Sequence, residues 1–270
     1  MHIPVLLERV VERVRPGALA VDCTLGDGGH AVAMRRRGAT VIGIDLDPAA
    51  ARDDLEFHRT NFAALPAVLA GRHADFVLAD LGMASPQIDD PERGFSYRKN
   101  GPLDMRMDPT RGKTAADLVN SMSEEALAAA LLELGDEEDA AKIAKLIVER
   151  RPLRTTHELM ALVCKVRDFT LKRAEGAKLH PAARTFQALR ILVNRELANL
   201  DRLLAVLPEC LAPGGTAVII SYHSGEDRRV KKAFRDFPES GGPIVADEAE
   251  RRKNPRARSA KLRWARLSAR

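Results

Sequence analysis

Short apolar runs alternate with amphipathic stretches through the first 80 residues of the chain. The apolar runs predict strands at 18–22, 40–45, 56–61 and 74–80. The intervening residues predict helices at 5–14 and 31–37, and a further helix that begins at Asp47-Pro48. Strands that alternate with helices in this way predict a parallel α/β sheet.

The pattern changes after residue 80. Residues 82–113 are rich in Gly, Pro, Asp and Arg and show little periodicity, which is typical of a functional loop or a separately folded segment. Residues 123–166 read as helical, with Ser123 as a capped start and Thr156 predicted to cap a helix that runs to 169. We interpret 105–185 as a helical insertion domain that recognises the substrate.

The sheet pattern resumes in the last third of the chain. One long helix is predicted at 185–207, a buried strand at 216–222 after the turn Pro213-Gly214-Gly215, and a last strand at 262–267 that carries Trp264. The sequence therefore predicts a Rossmann-like, doubly wound α/β core formed by 1–104 and 186–270.

Composition narrows the class of protein. Hydrophobic residues make up 45% and charged residues 30% of the chain, which is typical of a folded globular protein. No apolar run approaches the roughly 18 residues of a membrane helix, and the N-terminus does not resemble a signal peptide, so we expect a cytoplasmic protein without membrane contact. The three cysteines are widely spaced, which favours buried thiols over a disulfide framework or a metal site.

Positive charge is concentrated near the C-terminus. The net charge is +5, and residues 251–270 contain many Lys and Arg but no acidic residue. Such a segment suits contact with phosphate backbones, as does Arg35-Arg36-Arg37. A solvated basic tail explains the same composition equally well.

A glycine-rich turn follows the first predicted strand, from Asp22 to His30. Glycines there let the backbone approach a ligand closely, and the next helix directs N–H groups toward it. Asp45 ends the second strand, where a carboxylate can accept hydrogen bonds from ribose hydroxyls. The spacing Gly26-x-Gly28-x-x-Ala31 also fits a dinucleotide site, so an NAD-dependent dehydrogenase stays an alternative at this point.

A second motif follows the fourth predicted strand, with Asp80 at its end and Ser85-Pro86-Gln87 shortly after. Ligands of open α/β sheets bind at the carboxyl ends of strands. An acidic or amide residue and a proline here are typical of enzymes that methylate amino groups, since an exocyclic amine needs an acceptor for its N–H bonds. We predict Asp80, Ser85 and Pro86 as catalytic residues; the alternative for Asp80 is a cap or a cofactor ligand.

Seven motifs occur in an order that resembles the bacterial small-subunit ribosomal RNA methyltransferase H family, also called MraW. They cover nearly the whole chain and lie at 24–30, 80–87, 93–96, 101–108, 184–190, 221–228 and 254–259. The chain departs from the family pattern at Ala84, where serine is common, at Tyr222, where phenylalanine is common, and at Gly225, where leucine is common. The segment between Phe237 and Asn254 is also short.

The resemblance implies N4-methylation of a cytidine in the P-site decoding region of 16S rRNA, with S-adenosylmethionine as cofactor, no metal, and the 30S ribosomal subunit as partner. It implies a class I methyltransferase fold and leaves open whether the protein is a homodimer. By the same resemblance the cofactor is held by Gly28, Gly29, His30, Asp45 at the ribose, Phe62 at the adenine, Asp80 and Gln87. A non-catalytic RNA-binding assembly factor is a further alternative.

Other charged residues allow two explanations each. Arg184 and Arg190 lie on one predicted helix and form either a phosphate-facing stripe or a solvated face. Asp104, Arg106 and Asp108 form either a salt-bridge cluster or a surface toward the substrate. His223, after a buried strand, is either a satisfied polar residue or part of the substrate site.

Overall fold

A computed structural model describes residues 3–169 and 180–269 of the chain, except for the side chain of Ser85. It contains two compact units. The first unit comprises Met1–Met83 and Leu197–Arg270, and the second comprises Ala84–Glu196. The second unit is wider than the insertion predicted at 105–185, because Leu103 N donates to Arg154 O (2.8 Å) and Thr156 N donates to Gly101 O (3.0 Å). These bonds tie the irregular segment before residue 105 to the helices that follow it.

The first unit is built on a seven-stranded sheet with the order β3-β2-β1-β4-β5-β7-β6. The strands are β1 Leu19–Asp22, β2 Thr40–Asp45, β3 Glu56–Arg59, β4 Ala74–Asp80, β5 Leu211–Ser221, β6 Glu239–Ile244 and β7 Lys261–Arg266. β1 to β5 run parallel, whereas β7 is antiparallel to β5 and β6. The order reverses between β1 and β4, which is the switch point of a doubly wound fold. The predicted Rossmann-like architecture is confirmed.

The helices follow the strands along the chain. They are α1 Leu7–Val11, α2 Gly29–Arg36, α3 Leu65–Leu69, α4 Ser85–Asp89, α5 Ala115–Ser121, α6 Glu124–Gly135, α7 Ala140–Glu149, α8 Thr156–Val166, α9 Ala183–Asn194, α10 Glu196–Cys210, α11 Ser224–Ala233 and α12 Glu248–Lys253. No helix within the described ranges is long and apolar enough to cross a membrane.

Alternation along β4 explains why the sheet is buried on both faces. Val77 and Ala79 belong to a core cluster that includes Leu203 of α10. Phe76 and Leu78 point to the opposite face and join a cluster that includes Met34 of α2. Successive side chains of a strand point to opposite faces, and a parallel sheet needs apolar cover on each. The two clusters hold the carboxyl ends of the strands in a fixed frame.

A buried carboxylate helps to organise the second unit. Glu137 is fully buried and accepts hydrogen bonds from the Arg167 guanidinium and from Thr185 Oγ1, the latter at 2.9 Å. A buried charge is tolerated only when it is paired and hydrogen-bonded. The three residues link the turn after α6 to the end of α8 and the start of α9.

Several predicted elements were wrong in length or number. The long helix predicted at 185–207 is two helices, because Arg195 takes a left-handed conformation (φ 52°) that interrupts the helix. Asp47-Pro48 begins only one 3-10 turn, Pro48–Ala50. The cap predicted at Thr156 is made by Thr155, whose side chain accepts from Glu158 N.

Candidate active site

Three aspartates end neighbouring strands on one edge of the sheet in the first unit. Asp22 ends β1, Asp45 ends β2 and Asp80 ends β4. Their strands are adjacent and parallel, so the three carboxylates lie at the same edge. Tyr222 follows directly after β5, which pairs with β4 up to Asp80–Ile220. The sequence predicted that Asp45 and Asp80 belong to this edge, and the sheet places both there.

The glycine-rich turn is held by Asp45. Its Oδ2 accepts from Gly26 N and its Oδ1 accepts from Asp47 N, each at 2.8 Å. Gly26 and Gly28 have positive φ values of 48° and 75°, which only glycine adopts without strain. Burial raises the pKa of Asp45, while these backbone donors oppose that rise. A carboxylate has about four acceptor positions, so Asp45 keeps the capacity to accept further hydrogen bonds.

The carboxylate of Asp80 is fixed by contacts from two other elements. Tyr222 Oη donates to Asp80 Oδ1 at 2.6 Å, and His30 Nε2 lies 3.5 Å from Asp80 Oδ2. The backbone joins this arrangement, since Asp80 N donates to Thr24 Oγ1 at 2.7 Å. Oδ1 therefore already accepts one short hydrogen bond, whereas Oδ2 has only a long contact and is the more available acceptor.

Gly82 makes room for the Tyr222 ring. Its φ is +118°, and a Cβ on Gly82 would lie 3.3 Å from Tyr222 Cδ2. Burial raises the pKa of the Tyr222 hydroxyl, and the neighbouring Asp80 carboxylate raises it further. Tyr222 therefore stays protonated at physiological pH and acts as a hydrogen-bond donor toward Asp80.

Polar atoms of Asp22 and His30 are buried without a hydrogen-bond partner among the described residues. They are Asp22 Oδ2 and His30 Nδ1, together with His30 Nε2, which lies at the long distance of 3.5 Å from Asp80 Oδ2. Burial raises the pKa of Asp22 to about 6, although His30 and the Thr24 N–H oppose the rise. Burial alone would lower the pKa of His30, but Asp80, Asp22 and Glu250 outweigh it and raise that pKa. Unsatisfied buried donors and acceptors are costly, so this edge suits a polar ligand.

The remaining predicted cofactor residues of the first unit also follow strands. Phe62 begins a 3-10 turn after β3 and packs, partly buried, against the core cluster. Gly28 is the N-cap residue of α2 and Gly29 its first residue. A Cβ on Gly29 would lie 2.5 Å from Pro4 Cγ, which explains glycine at that position by packing. The structure does not test the contacts that these residues would make with a cofactor.

Ser85, Pro86 and Gln87 belong to α4 in the second unit. Gln87 is 5% exposed, and its Oε1 accepts from Ala84 N at 3.1 Å. This bond gives Gln87 a structural role at the start of α4. The catalytic roles of Ser85 and Pro86, and the cofactor contact of Gln87, stay predictions.

Several charged residues for which the sequence allows either a structural or a substrate-facing role form contacts within the protein. Arg190 Nε and Nη2 each donate to Glu196 at 2.8 Å, which argues against a phosphate-facing role. Arg184 Nη1 donates to Glu138 Oε1 at 2.9 Å. Arg106 makes a two-point contact with Asp104, at 2.8 and 2.7 Å, which favours the salt-bridge explanation. His223 Nε2 lies 3.2 Å from the buried Glu226.

Sequence reasoning did not single out Asp22 or Tyr222 as site residues. Asp22 lies inside the glycine-rich motif, and its place at the end of a strand was the available signal. The sequence marks Tyr222 only as a position where the resembled family commonly has phenylalanine. Its contact with Asp80 joins residues 142 positions apart, which a single sequence does not reveal. Within the described residues no group of three or more His, Cys, Asp or Glu could hold a metal ion.

Comparison with known proteins finds relatives over nearly the whole chain. The profile of the MraW methylase family matches residues 1–268. Proteins named ribosomal RNA small subunit methyltransferase H are 44% identical in a Synechococcus species and 41% identical in Acidobacterium capsulatum. Each alignment covers 98% of this chain, with 91% and 97% of the relative covered, respectively.

Among solved structures, a Streptococcus mutans protein in complex with SAH shows 10% identity and a TM-score of 0.46, over 98% of this chain and 99% of that chain. The family match spans nearly the whole sequence and includes every strand of the sheet. It favours methyl transfer over the dehydrogenase alternative. The chain belongs to the MraW methylase family.

Proposed function

We propose that this protein transfers a methyl group from S-adenosylmethionine to N4 of a cytidine in 16S rRNA, in the P-site decoding region of the 30S subunit. The relatives carry the name of a small-subunit ribosomal RNA methyltransferase. The observation that carries the proposal is the Asp80 carboxylate, which Tyr222 orients through a 2.6 Å hydrogen bond. An oriented acceptor at the switch point of the sheet is what an amine substrate needs.

The residues of the first unit fit the cofactor. Its ammonium and carboxylate groups would meet the unsatisfied atoms of Asp22 and His30, and its ribose hydroxyls would reach Asp45. The turn at Gly26 and Gly28, with positive φ at both positions, lets the backbone approach the ligand. Phe62 would pack on the adenine, and Gly28 and Gly29 would contact the cofactor. When bound, S-adenosylmethionine supplies an electrophilic methyl group on a sulfonium sulfur.

Asp80 can assist methyl transfer to an amine that reacts poorly by itself. The lone pair of a cytosine amine is delocalised into the ring, so the nitrogen is a poor nucleophile. A carboxylate that accepts an N–H bond holds the nitrogen in the direction of the methyl group and favours the positive charge that develops on it. Because Tyr222 already donates to Oδ1, Oδ2 of Asp80 is the oxygen with more capacity to accept an N–H bond from the substrate. After transfer the nitrogen carries a positive charge, and it loses one N–H proton to Asp80 Oδ2.

The second unit contributes the remaining predicted residues. By the family resemblance, Ser85 and Pro86 are catalytic residues and Gln87 is a cofactor residue. RNA recognition by residues 105–185 rests on the same resemblance. The base has to leave its stack to reach a carboxylate at the edge of the sheet, so the substrate is a splayed or flipped cytidine.

A transfer assay tests the proposal. Small subunits from a strain that lacks this methylation would be incubated with tritiated S-adenosylmethionine, and the labelled nucleoside would be identified by mass spectrometry. We expect N4-methylcytidine. Label in another nucleoside would retain rRNA methylation and overturn the N4 assignment, while cofactor binding without transfer would favour the non-catalytic assembly factor.

A further inference from the structure

The helix that follows the site residue Tyr222 separates its charges by sign. α11 carries its acidic and its exposed basic side chains on different faces, and the adjoining 3-10 turn Phe234–Asp236 adds the exposed residues Arg235 and Asp236. Within 224–235, the exposed charged residues are Arg228, Lys231, Lys232 and Arg235. Their spacing of three, four and seven residues places them on one face of a helix.

The acidic residues of α11 point inward and are engaged. Glu226 is 2% exposed and accepts from Tyr222 N at 2.8 Å. Asp227 accepts from Arg263 Nε at 2.8 Å and lies 3.5 Å from Lys261 Nζ. Burial raises the pKa of Asp227, but Arg263 and Lys261 outweigh burial and lower it. These carboxylates are thus unavailable to neutralise the outer face.

The four outer cations have no ion pair or side-chain hydrogen bond with any residue in 3–169 or 180–269. Over seven residues of helix they span about 10 Å, which matches several phosphates of a nucleic-acid strand. Lys231 and Lys232 lie in the last turn, where the helix dipole favours cations. Arg228 lies in the second turn of α11, where the helix dipole does not account for a cation.

The C-terminal basic segment behaves differently. Arg263 is committed to Asp227, Arg266 Nε donates to Gly214 O at 3.1 Å, and Arg252 pairs with Glu248. Much of the positive charge in 251–266 is therefore used within the protein. The cations on the outer face of α11 form no such contacts with the described residues.

We propose that the outer face of α11, formed by Arg228, Lys231, Lys232 and Arg235, is a docking surface for the phosphate backbone of RNA. The inference rests on the proposed RNA substrate and adds the surface that holds it. α11 begins two residues after Tyr222, at the edge of the sheet that carries Asp80. RNA held along this helix is therefore anchored beside the site of transfer.

Salt-dependent binding tests the surface. The probe is a fluorescent RNA hairpin with the sequence of the small-subunit decoding region, titrated with Lys231→Gln/Lys232→Gln protein at several salt concentrations. We expect the slope of log affinity against log salt to fall by about 1.4, or about 0.7 for each cation removed. Affinity at 0.1 M salt falls about 10- to 30-fold, while S-adenosylmethionine binding is unchanged.

A matched variant removes the same charge elsewhere. Arg15 and Arg202 are exposed residues of the first unit that no part of the proposed RNA contact uses, and Arg15→Gln/Arg202→Gln should change the slope by less than half as much. An unchanged slope in the α11 variant, or equal losses in both variants, would overturn the surface, as would a wild-type protein that binds no RNA. Formation of N4-methylcytidine by wild-type protein is scored separately, so failure of the docking surface is distinguishable from failure of the proposed reaction.

Discussion

At the level of single residues, the hydrogen bond between Tyr222 and Asp80 is the contact most closely tied to the proposed reaction. The hydroxyl is buried and neutral, and it donates to one oxygen of a carboxylate that is 21% exposed. A hydrogen bond to a charged group contributes about 1.5–3 kcal/mol. The bond therefore has enough energy to select one orientation of the Asp80 side chain.

Replacement of Tyr222 by phenylalanine removes that bond and keeps the ring over Gly82. We expect Tyr222→Phe to fold normally and to lower kcat by about 10-fold, since about 1.4 kcal/mol of orientation is lost. The affinity for S-adenosylmethionine and the KM for the small subunit should stay within about threefold of wild type. Steady-state transfer kinetics and calorimetric titration measure these quantities.

The second tyrosine of the chain supplies the control. Tyr97 stacks on His180 with ring centroids 4.2 Å apart, within the second unit. Tyr97→Phe makes the same chemical change without touching Asp80, and kcat should be unaffected. Equal kcat values for Tyr222→Phe and wild type would show that the hydroxyl does not position Asp80.

Asp22 predicts a specific dependence of stability on pH. Burial raises its pKa to about 6 from 3.8, so the folded protein retains a proton that the unfolded chain loses. The free energy of unfolding contributed by this group is full below pH 4 and declines between pH 4 and 6. A shift of this size corresponds to roughly 3 kcal/mol.

The Asp22→Asn variant isolates that contribution. Relative to wild type, its free energy of unfolding should improve by on the order of 3 kcal/mol between pH 4 and pH 7. Urea denaturation followed by Trp264 fluorescence measures the difference, since Trp264 is the one tryptophan of the sequence and lies on β7 in the first unit. A difference between variant and wild type that is the same at both pH values would contradict the raised pKa.

At the level of elements, the strands that bear the site were predictable. β2 and β4 occupy the predicted ranges 40–45 and 74–80, because runs of apolar residues buried on both faces are a strong local signal. The glycine turn and α2 follow from glycine conformational freedom and helix start signals. These local signals were sufficient to predict that Asp45 and Asp80 lie at the carboxyl ends of parallel strands.

Other elements depend on contacts that the local sequence does not encode. The break between α9 and α10 occurs at Arg195, whose left-handed conformation is unusual for arginine. β6 contains Gly241-Gly242-Pro243 and was not predicted, because these residues disfavour strands. β6 forms because it pairs with β7 as the outermost strand of the sheet, and glycine and proline are tolerated in an outermost strand.

At the level of the whole molecule, the net charge of +5 conceals an uneven distribution. The C-terminal basic segment forms α12 and the strand β7, and several of its arginines are paired within the protein. Cations without a partner among the described residues occur in that segment too, but on α11 four of them share one face of a helix that also contains two acidic residues. Only the fold shows which of these charges face outward.

The predicted site residues belong to both compact units. Asp22, Asp45 and Asp80 belong to the first unit, and Ser85 to Gln87 belong to the second. The family match covers both units. The role of Asp80 is therefore the part of the proposed mechanism that the geometry of a single unit supports.

The measurement that tests this role most directly is single-turnover methyl transfer by Asp80→Ala protein with saturating S-adenosylmethionine and unmethylated small subunits. We predict a loss of 100-fold or more in the rate of N4-methylcytidine formation, as expected when a positioned acceptor is removed. Saturating cofactor separates this loss of rate from any loss of cofactor affinity, and Asp80→Asn, which keeps one acceptor oxygen, should fall between the two rates. An Asp80→Ala rate close to wild type would contradict the assignment of Asp80 as the acceptor that orients the substrate amine.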